Sequence, residues 1–160
     1  MIRKVRIQDA ADIVAIYNRY IVDTTVTFET EPLSVDEMQK RITTIASSFP
    51  YFVYEFEGRV VGYAYVHLWK ERAAYSRTLE TTIYLDPDIR HSGIGTKLMH
   101  HVIDECRCLD YKVLIACITA ENGESLEFHK RLGFVQVSHF HNVGEKFGRL
   151  LDVIDMELQL

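Results

Sequence analysis

Cysteine and proline are scarce in this chain, three of each among 160 residues. Cys106, Cys108 and Cys117 are odd in number, and a chain of this length can bury a core unaided, so a disulfide framework of the secreted kind is excluded. Cys106 and Cys108 stand two apart in a helical pattern and point in different directions, which argues against a metal grip; reduced thiols half in the core are expected. No apolar signal segment precedes Met1-Ile2-Arg3-Lys4, so the expected compartment is cytoplasmic. Apolar runs of the roughly 20 residues that span a bilayer are also missing, which excludes a membrane partner. Basic character is lacking as well, with a net charge of -5 and a pI near 5.8. No nucleic acid is expected as a partner, and any anionic ligand must be held by local groups.

What is present is 48% hydrophobic side chains, enough for one well-buried domain over residues 1–160. Ile2 to Ile7 reads as a strand, followed by a helix capped by Asp9 in which Ala10, Ile13, Val14 and Tyr17 share a face. Ser34-x-x-Glu37 is a capping box for a second helix carrying Met38, Ile42 and Ile45. The stretch between them, Asp23 to Pro32, is a loop long enough to be functional. Tyr51 to Phe56 and Val60 to Leu68 read as strands joined by the Glu57-Gly58-Arg59 turn, and Leu79 to Leu85 is a third, ended by Asp86-Pro87-Asp88. A helix from Gly95 to Leu109, a buried strand from Val113 to Ile118 and a helix from Glu124 to Leu132 with Gly133 at its C′ position follow. Strands from Phe134 to Val143 and Leu150 to Leu158 complete the order β-α-α-β-β-β-α-β-α-β-β. This order predicts an α/β (α+β) fold with a mixed, mostly antiparallel sheet flanked by helices.

Between the strand ending at Leu85 and the following helix lies Arg90-His91-Ser92-Gly93-Ile94-Gly95. A glycine-rich loop entering a helix presents free backbone N–H groups that attract phosphate oxygens, and Arg90 adds charge from its edge. Leu98 stands where a dinucleotide fingerprint needs its third glycine, and Gly-Lys-Ser/Thr of a Walker loop is missing. The loop resembles the R/Q-x-x-G-x-G/A acetyl-CoA signature of the GCN5-related N-acetyltransferases, and the element order is similar to theirs. Asn122, Ser125 and Phe128 to Phe134 resemble that family's second signature, beside the pantetheine arm.

The chain is most similar to the phosphinothricin acetyltransferase branch, which also acetylates methionine sulfoximine and methionine sulfone. The similarity lies in Ala15-Ile16-Tyr17-Asn18, Thr27 to Pro32, Trp69-Lys70-Glu71-Arg72-x-Ala74-Tyr75, Glu80 to Tyr84 and Val143-Gly144-x-Lys146-x-Gly148-Arg149. His91 replaces a common glycine of the loop, and Leu150 stands where the branch usually has tryptophan. The resemblance implies acetyl-CoA as cosubstrate, held by Ile83, Tyr84, Leu85, Arg90, His91, Ser92, Gly93, Ile94, Gly95, Thr96, Asn122 and Ser125. It also implies a small-molecule amine as the other substrate and a homodimer.

Acetyl transfer to an amine needs a deprotonated nucleophile, a stabilised oxyanion and a proton for the departing thiolate. Glu80, early in the strand that leads to the loop, is the candidate base, and burial beside Leu79, Ile83 and Tyr84 would raise its pKa toward a useful range. His129 stands where many members of the family carry a tyrosine general acid, and the resemblance implies that role for it. Backbone N–H groups of Ile83 to Leu85 are the expected oxyanion donors. Arg72, with Tyr75 nearby, is the candidate for an acceptor carboxylate, and Phe28 and Trp69 are candidate walls for the acceptor side chain. His139-x-His141 offers two imidazoles on one strand face, but two ligands are short of a zinc set and no acidic partner accompanies them at motif spacing, so no metal is expected. Transfer to a polyamine or a protein N-terminus, or a non-catalytic acyl-CoA sensor, are the competing readings.

Overall fold

Side chains alternate across the central strands, and that alternation dictates a sheet covered on both faces. In the computed structural model, which describes residues 1–89 and 93–160, strand β2 (Tyr51–Phe56) sends Tyr51 and Val53 to one face and Phe52 to the other. Strand β3 (Arg59–Leu68) divides Val60 and Tyr63 from Val61, Ala64 and Val66 in the same way. Helices α1 (Ala10–Asp23) and α2 (Val35–Ala46) cover the first face through Ile13, Ile16, Met38 and Ile42. Helix α3 (Ile94–Cys108) covers the second through Leu98, Met99, Val102 and Cys106, all fully buried. Each such side chain contributes about 1.5–3 kcal/mol by leaving water, so Leu98→Ala costs about 2–5 kcal/mol.

The remaining strands are β1 (Ile2–Lys4), β4 (Thr78–Leu85), β5 (Val113–Thr119), β6 (Val135–Gln136), β7 (Phe140–Lys146) and β8 (Arg149–Gln159), with helix α4 (Gly123–Arg131) after β5. The sheet order is β1-β2-β3-β4-β5-β8-β6, with β7 also paired to β8. Every pair is antiparallel except β4 with β5. The expected mixed, mostly antiparallel sheet is therefore present.

Local signals held where the chain itself supplied the partner. Ser34 accepts from Glu37 N at 3.2 Å while the Glu37 carboxylate accepts from Ser34 N at 2.7 Å, the reciprocal box expected of α2. Glu57 and Gly58 turn the β2–β3 hairpin with φ of +48° and +77°, and Gly133 ends α4 at +94°. Two expectations are corrected. Asp9 does not cap α1 through its side chain; its carboxylate is held bidentately by Arg3 at 2.8 Å and accepts from Arg6 N at 2.7 Å, closing a 3-10 turn instead. β1 accordingly stops at Lys4 rather than Ile7. The single strand expected over 134–143 is two, because β6 and β7 both pair with the long β8 and the chain breaks between them, where Ser138 Oγ accepts from Asp155 N.

Candidate active site

β4 and β5 pair only through Thr78–Val113, Leu79–Leu114 and Glu80–Ile115, although both strands run on for several residues. Parallel strands that part in this way leave the backbone of β4 beyond Glu80 without a β5 partner, and at its far end the Leu85 carbonyl accepts from Tyr20 Oη at 2.8 Å instead. α3 and α4 begin beside that gap, and two cavities occupy it.

The first, about 380 Å³, is lined by Ile83, Tyr84 and Leu85 of β4, by Gly93, Gly95 and Thr96 at the start of α3, and by Asn122, Glu124, Ser125, Phe128 and Arg131 around α4. Gly93 caps α3 at φ +75°, a left-handed conformation that strains any residue with a Cβ. A Cβ on Gly95 would meet Leu85 Cδ1 at 3.3 Å and the Phe128 ring at 3.5 Å, so glycine there lets the helix start sit close against β4 and α4. The positive end of the helix dipole and the first N–H groups of α3, which have no partner within the helix, thus face the cavity, which suits a phosphate. The Asn122 carbonyl oxygen caps α4 by accepting from Ser125 N at 3.2 Å, leaving its amide donors for a ligand. The expected cofactor residues Ile83, Tyr84, Leu85, Gly93, Gly95, Thr96, Asn122 and Ser125 are therefore gathered along one wall system. Ile94 is not among them, since it is buried in the core. The expected contacts of Arg90, His91 and Ser92 lie outside the described residues.

The second cavity, about 350 Å³, shares Val26, Ile83, Tyr84, Asn122 and Ser125 with the first and extends to Glu80, His129, Phe28, Tyr17, Thr27, Tyr65, His67 and Cys117. Glu80 is the cross-strand partner of His67, with Nε2 at 3.9 Å from Oε1. Burial pushes the Glu80 carboxyl above its ordinary range, His67 opposes the shift, and Asp155 adds to it. Cys117 lies against Glu80 and Asp155, and its thiol is raised by burial first and then by those carboxylates. The expected direction for Glu80 is present, but with different neighbours: Leu79 points into the core on the opposite face.

His129 is 3% exposed and lines the second cavity from α4. Its Nδ1 sits 2.9 Å from the Ser125 carbonyl oxygen, one turn back along α4. A carbonyl only accepts, so geometry assigns the proton to Nδ1 and leaves Nε2 with a lone pair in the neutral ring. Burial lowers the imidazolium's pKa, partly offset by that carbonyl, so the resting ring is neutral. Phe128 and Phe134 hold it edge-on.

Phe28 lies on the loop between α1 and α2, and the β7–β8 hairpin fixes it there. A Cβ on Gly144 would stand 2.2 Å from Phe28 Cε2, so only glycine admits the ring. Two residues on, the buried Lys146 donates from Nζ to Thr27 O at 2.8 Å, and burial depresses its pKa. Thr27 Oγ1 in turn meets Tyr17 Oη at 2.8 Å. Lys146 and Gly144 thus explain the Gly-x-Lys pattern as a support for this wall.

The other acceptor candidates are not in the cavity. Trp69 and Tyr75 pack edge to face at 5.4 Å with the Lys70 ammonium 4.1 Å above the indole, in the connection between β3 and β4. Arg72 is exposed at the same connection, and among the described residues its guanidinium has no hydrogen bond or ion pair. This segment joins His67 to the strand of Glu80, both of which line the second cavity, but contributes no residue to that lining. Tyr17, Thr27, Tyr65, His67, Cys117 and Arg131 were missed as lining residues. His67 was beyond reach because the nine residues between β3 and β4 hide the register that sets it opposite Glu80.

Comparison with known proteins places this geometry. A family model described as an acetyltransferase (GNAT) domain matches residues 2–155. An L-amino acid N-acyltransferase of Escherichia coli (strain K12) is 36% identical over 161 residues, covering 99% of this chain and 93% of its own. An L-methionine sulfoximine/L-methionine sulfone acetyltransferase of Pseudomonas aeruginosa is 33% identical, covering 99% and 94%. Among solved structures, a phosphinothricin acetyltransferase from Sinorhizobium meliloti in complex with acetyl-CoA superposes with a TM-score of 0.96 at 34% identity, covering 100% of this chain and 88% of the other.

Proposed function

The chain belongs to the GNAT acetyltransferase family, and from that premise we propose that it transfers the acetyl group of acetyl-CoA to the α-amine of a small amino acid or analogue, with phosphinothricin, methionine sulfoximine and methionine sulfone as acceptors. The observation that carries this reading is the junction of the two cavities at Ile83, Tyr84, Asn122 and Ser125. One arm ends on the α3 N-terminus, which fits the pyrophosphate of acetyl-CoA; the other holds a carboxyl of raised pKa, which fits an amine. The thioester belongs where they meet.

Glu80 takes a proton from the acceptor's ammonium, and the free amine attacks the thioester carbonyl. The C–N bond forms as the carbonyl becomes an oxyanion, met by backbone N–H groups of the β4 edge that β5 leaves unpaired. The C–S bond then breaks. The second nitrogen proton passes to the free Nε2 of His129 and on to the thiolate, so the ring works as a shuttle that is charged only in passing. This refines the acid role, because a neutral ring with its proton on Nδ1 has none to give from Nε2. Arg72 meets the acceptor's carboxylate from the 69–77 segment, with Trp69 and Tyr75 beside it and Phe28 on the far wall.

Thiol release from acetyl-CoA, measured with phosphinothricin, methionine sulfoximine, methionine sulfone, spermidine and a peptide, tests the assignment. Turnover is expected with the first three. Release only with spermidine or the peptide would overturn the acceptor class, and acetyl-CoA binding without release would overturn catalysis.

The same proposal includes a cytoplasmic homodimer. Supporting it are three free cysteines and, on the β7–β8 hairpin, Phe140, Val143, Phe147 and Leu150, each about half exposed or more. No helix among the described residues is long and apolar enough to cross a membrane.

A further inference from the structure

The acidic partner that His139 and His141 lack at motif spacing arrives through the sheet. Asp152 on β8 places Oδ2 at 2.8 Å from His139 Nε2 and 3.0 Å from His141 Nδ1, and the two rings stack with centroids 4.3 Å apart. The three ligand atoms all lie within 4.8 Å of one another. No acid stands at motif spacing, and the one that meets the imidazoles comes from 11 and 13 residues along the chain.

Backbone geometry supports the convergence. β7 shifts register against β8 between Phe140 and Gly144, and within that bulge Asn142 takes φ +56°. Its N–H donates at 2.8 Å to Asp152 Oδ1, the oxygen that the imidazoles do not use. A carboxylate with one oxygen tied to the backbone and the other aimed between two imidazoles is the arrangement that orients metal ligands. Ligand atoms bound at about 2.0–2.1 Å around one ion lie roughly 2.9–3.4 Å apart, so the two contacts at 2.8 and 3.0 Å need open only slightly to admit one.

We propose that His139, His141 and Asp152 form a binding site for a late first-row transition-metal dication, with zinc as the fitting ion and solvent completing its shell. Two imidazoles and one carboxylate suit such an ion far better than magnesium or calcium, which take oxygen ligands. The site is separate from acetyl transfer. Successive strand side chains point to opposite faces, and Val153, next to Asp152, is the one that lines the acceptor cavity. Binding ties the start of β7 to β8 at the bulge, and so holds the hairpin that carries Gly144 and Lys146.

Isothermal titration of the tag-free protein with zinc chloride in a chelator-free buffer tests this. One zinc per chain is expected for the wild type. His141→Ala and Asp152→Asn should each lose it with an unchanged circular dichroism spectrum, while His100→Ala, on α3, should keep it. Cobalt titration gives a second readout, a d–d absorption band that the same two variants abolish. At zinc one hundred times its dissociation constant, the folding equilibrium constant should rise about 100-fold in the wild type and in His100→Ala, and in neither His141→Ala nor Asp152→Asn. Absence of binding to the wild type, or equal binding by His141→Ala and Asp152→Asn, would overturn the proposal.

Discussion

Replacing Gly144 by alanine isolates the acceptor wall from the rest of the site. The new Cβ would stand 2.2, 2.7 and 2.8 Å from three atoms of the Phe28 ring. Carbon atoms pack at about 3.5 Å or more, so the ring must withdraw by about 1.3 Å. Phe28 is 38% exposed and can swing toward solvent, which keeps the cost to folding small. The cost falls on the cavity instead. Losing a quarter of the roughly 200 Å² that a phenylalanine can bury removes about 50 Å² of apolar wall. At about 25 cal/mol per Å² this is about 1.3 kcal/mol, or close to tenfold in acceptor affinity. Steady-state kinetics with methionine sulfoximine should show the acceptor KM rising about tenfold while the KM for acetyl-CoA stays put. Lys146→Met, which removes the bond to Thr27 O and keeps the apolar stem, should move the same parameter in the same direction. An unchanged acceptor KM in Gly144→Ala, or an equal rise for acetyl-CoA, would refute the argument that the hairpin acts through Phe28.

Three further outcomes follow from the same geometry. Glu80→Gln should lower kcat/KM by about 10²–10⁴-fold and remove the acid limb of its pH profile. Because the folded state keeps the Glu80 proton above its ordinary pKa of 4.5, ionisation erodes stability as pH rises through that window; the variant should therefore melt higher than wild type at neutral pH by calorimetry and lower no other transition. His129→Gln should depress kcat by a similar factor with little change in either KM, read by the same thiol assay. Gly93→Ala forces a Cβ into the +75° conformation at a cost of roughly 1–2 kcal/mol, and should raise the KM for acetyl-CoA without touching that for the acceptor.

The parts of the fold legible in the sequence are those whose partners lie a few residues away. Ser34 and Glu37 spell their own reciprocal cap, Glu57-Gly58 its own turn, and Gly93 and Gly95 the entry to α3, because each is decided by local backbone geometry. Asp9 looks identical to a helix cap in sequence, yet Arg3 claims its carboxylate from the neighbouring strand. The division of 134–143 into β6 and β7 follows from the reach of β8, which no periodicity within that segment records. In the site, the Gly93–Thr96 turn was legible from its place between strand and helix, whereas Glu80 and His129 stood out through the family resemblance. His67 opposite Glu80, Lys146 under Thr27 and Asp152 between two histidines were not legible, since sheet register in the first and last case, and a strand reaching a distant loop in the second, join residues 11 to 119 apart.

The nitrogen that receives the acetyl group distinguishes this site from any other placement of the acceptor. Methionine sulfoximine offers two, its α-amine and its sulfoximine nitrogen, and only the first lies next to the carboxylate assigned to Arg72. Tandem mass spectrometry of the product formed from acetyl-CoA should place the acetyl group on the α-amine. Acetyl on the sulfoximine nitrogen, or recovery of unmodified acceptor, would contradict the account.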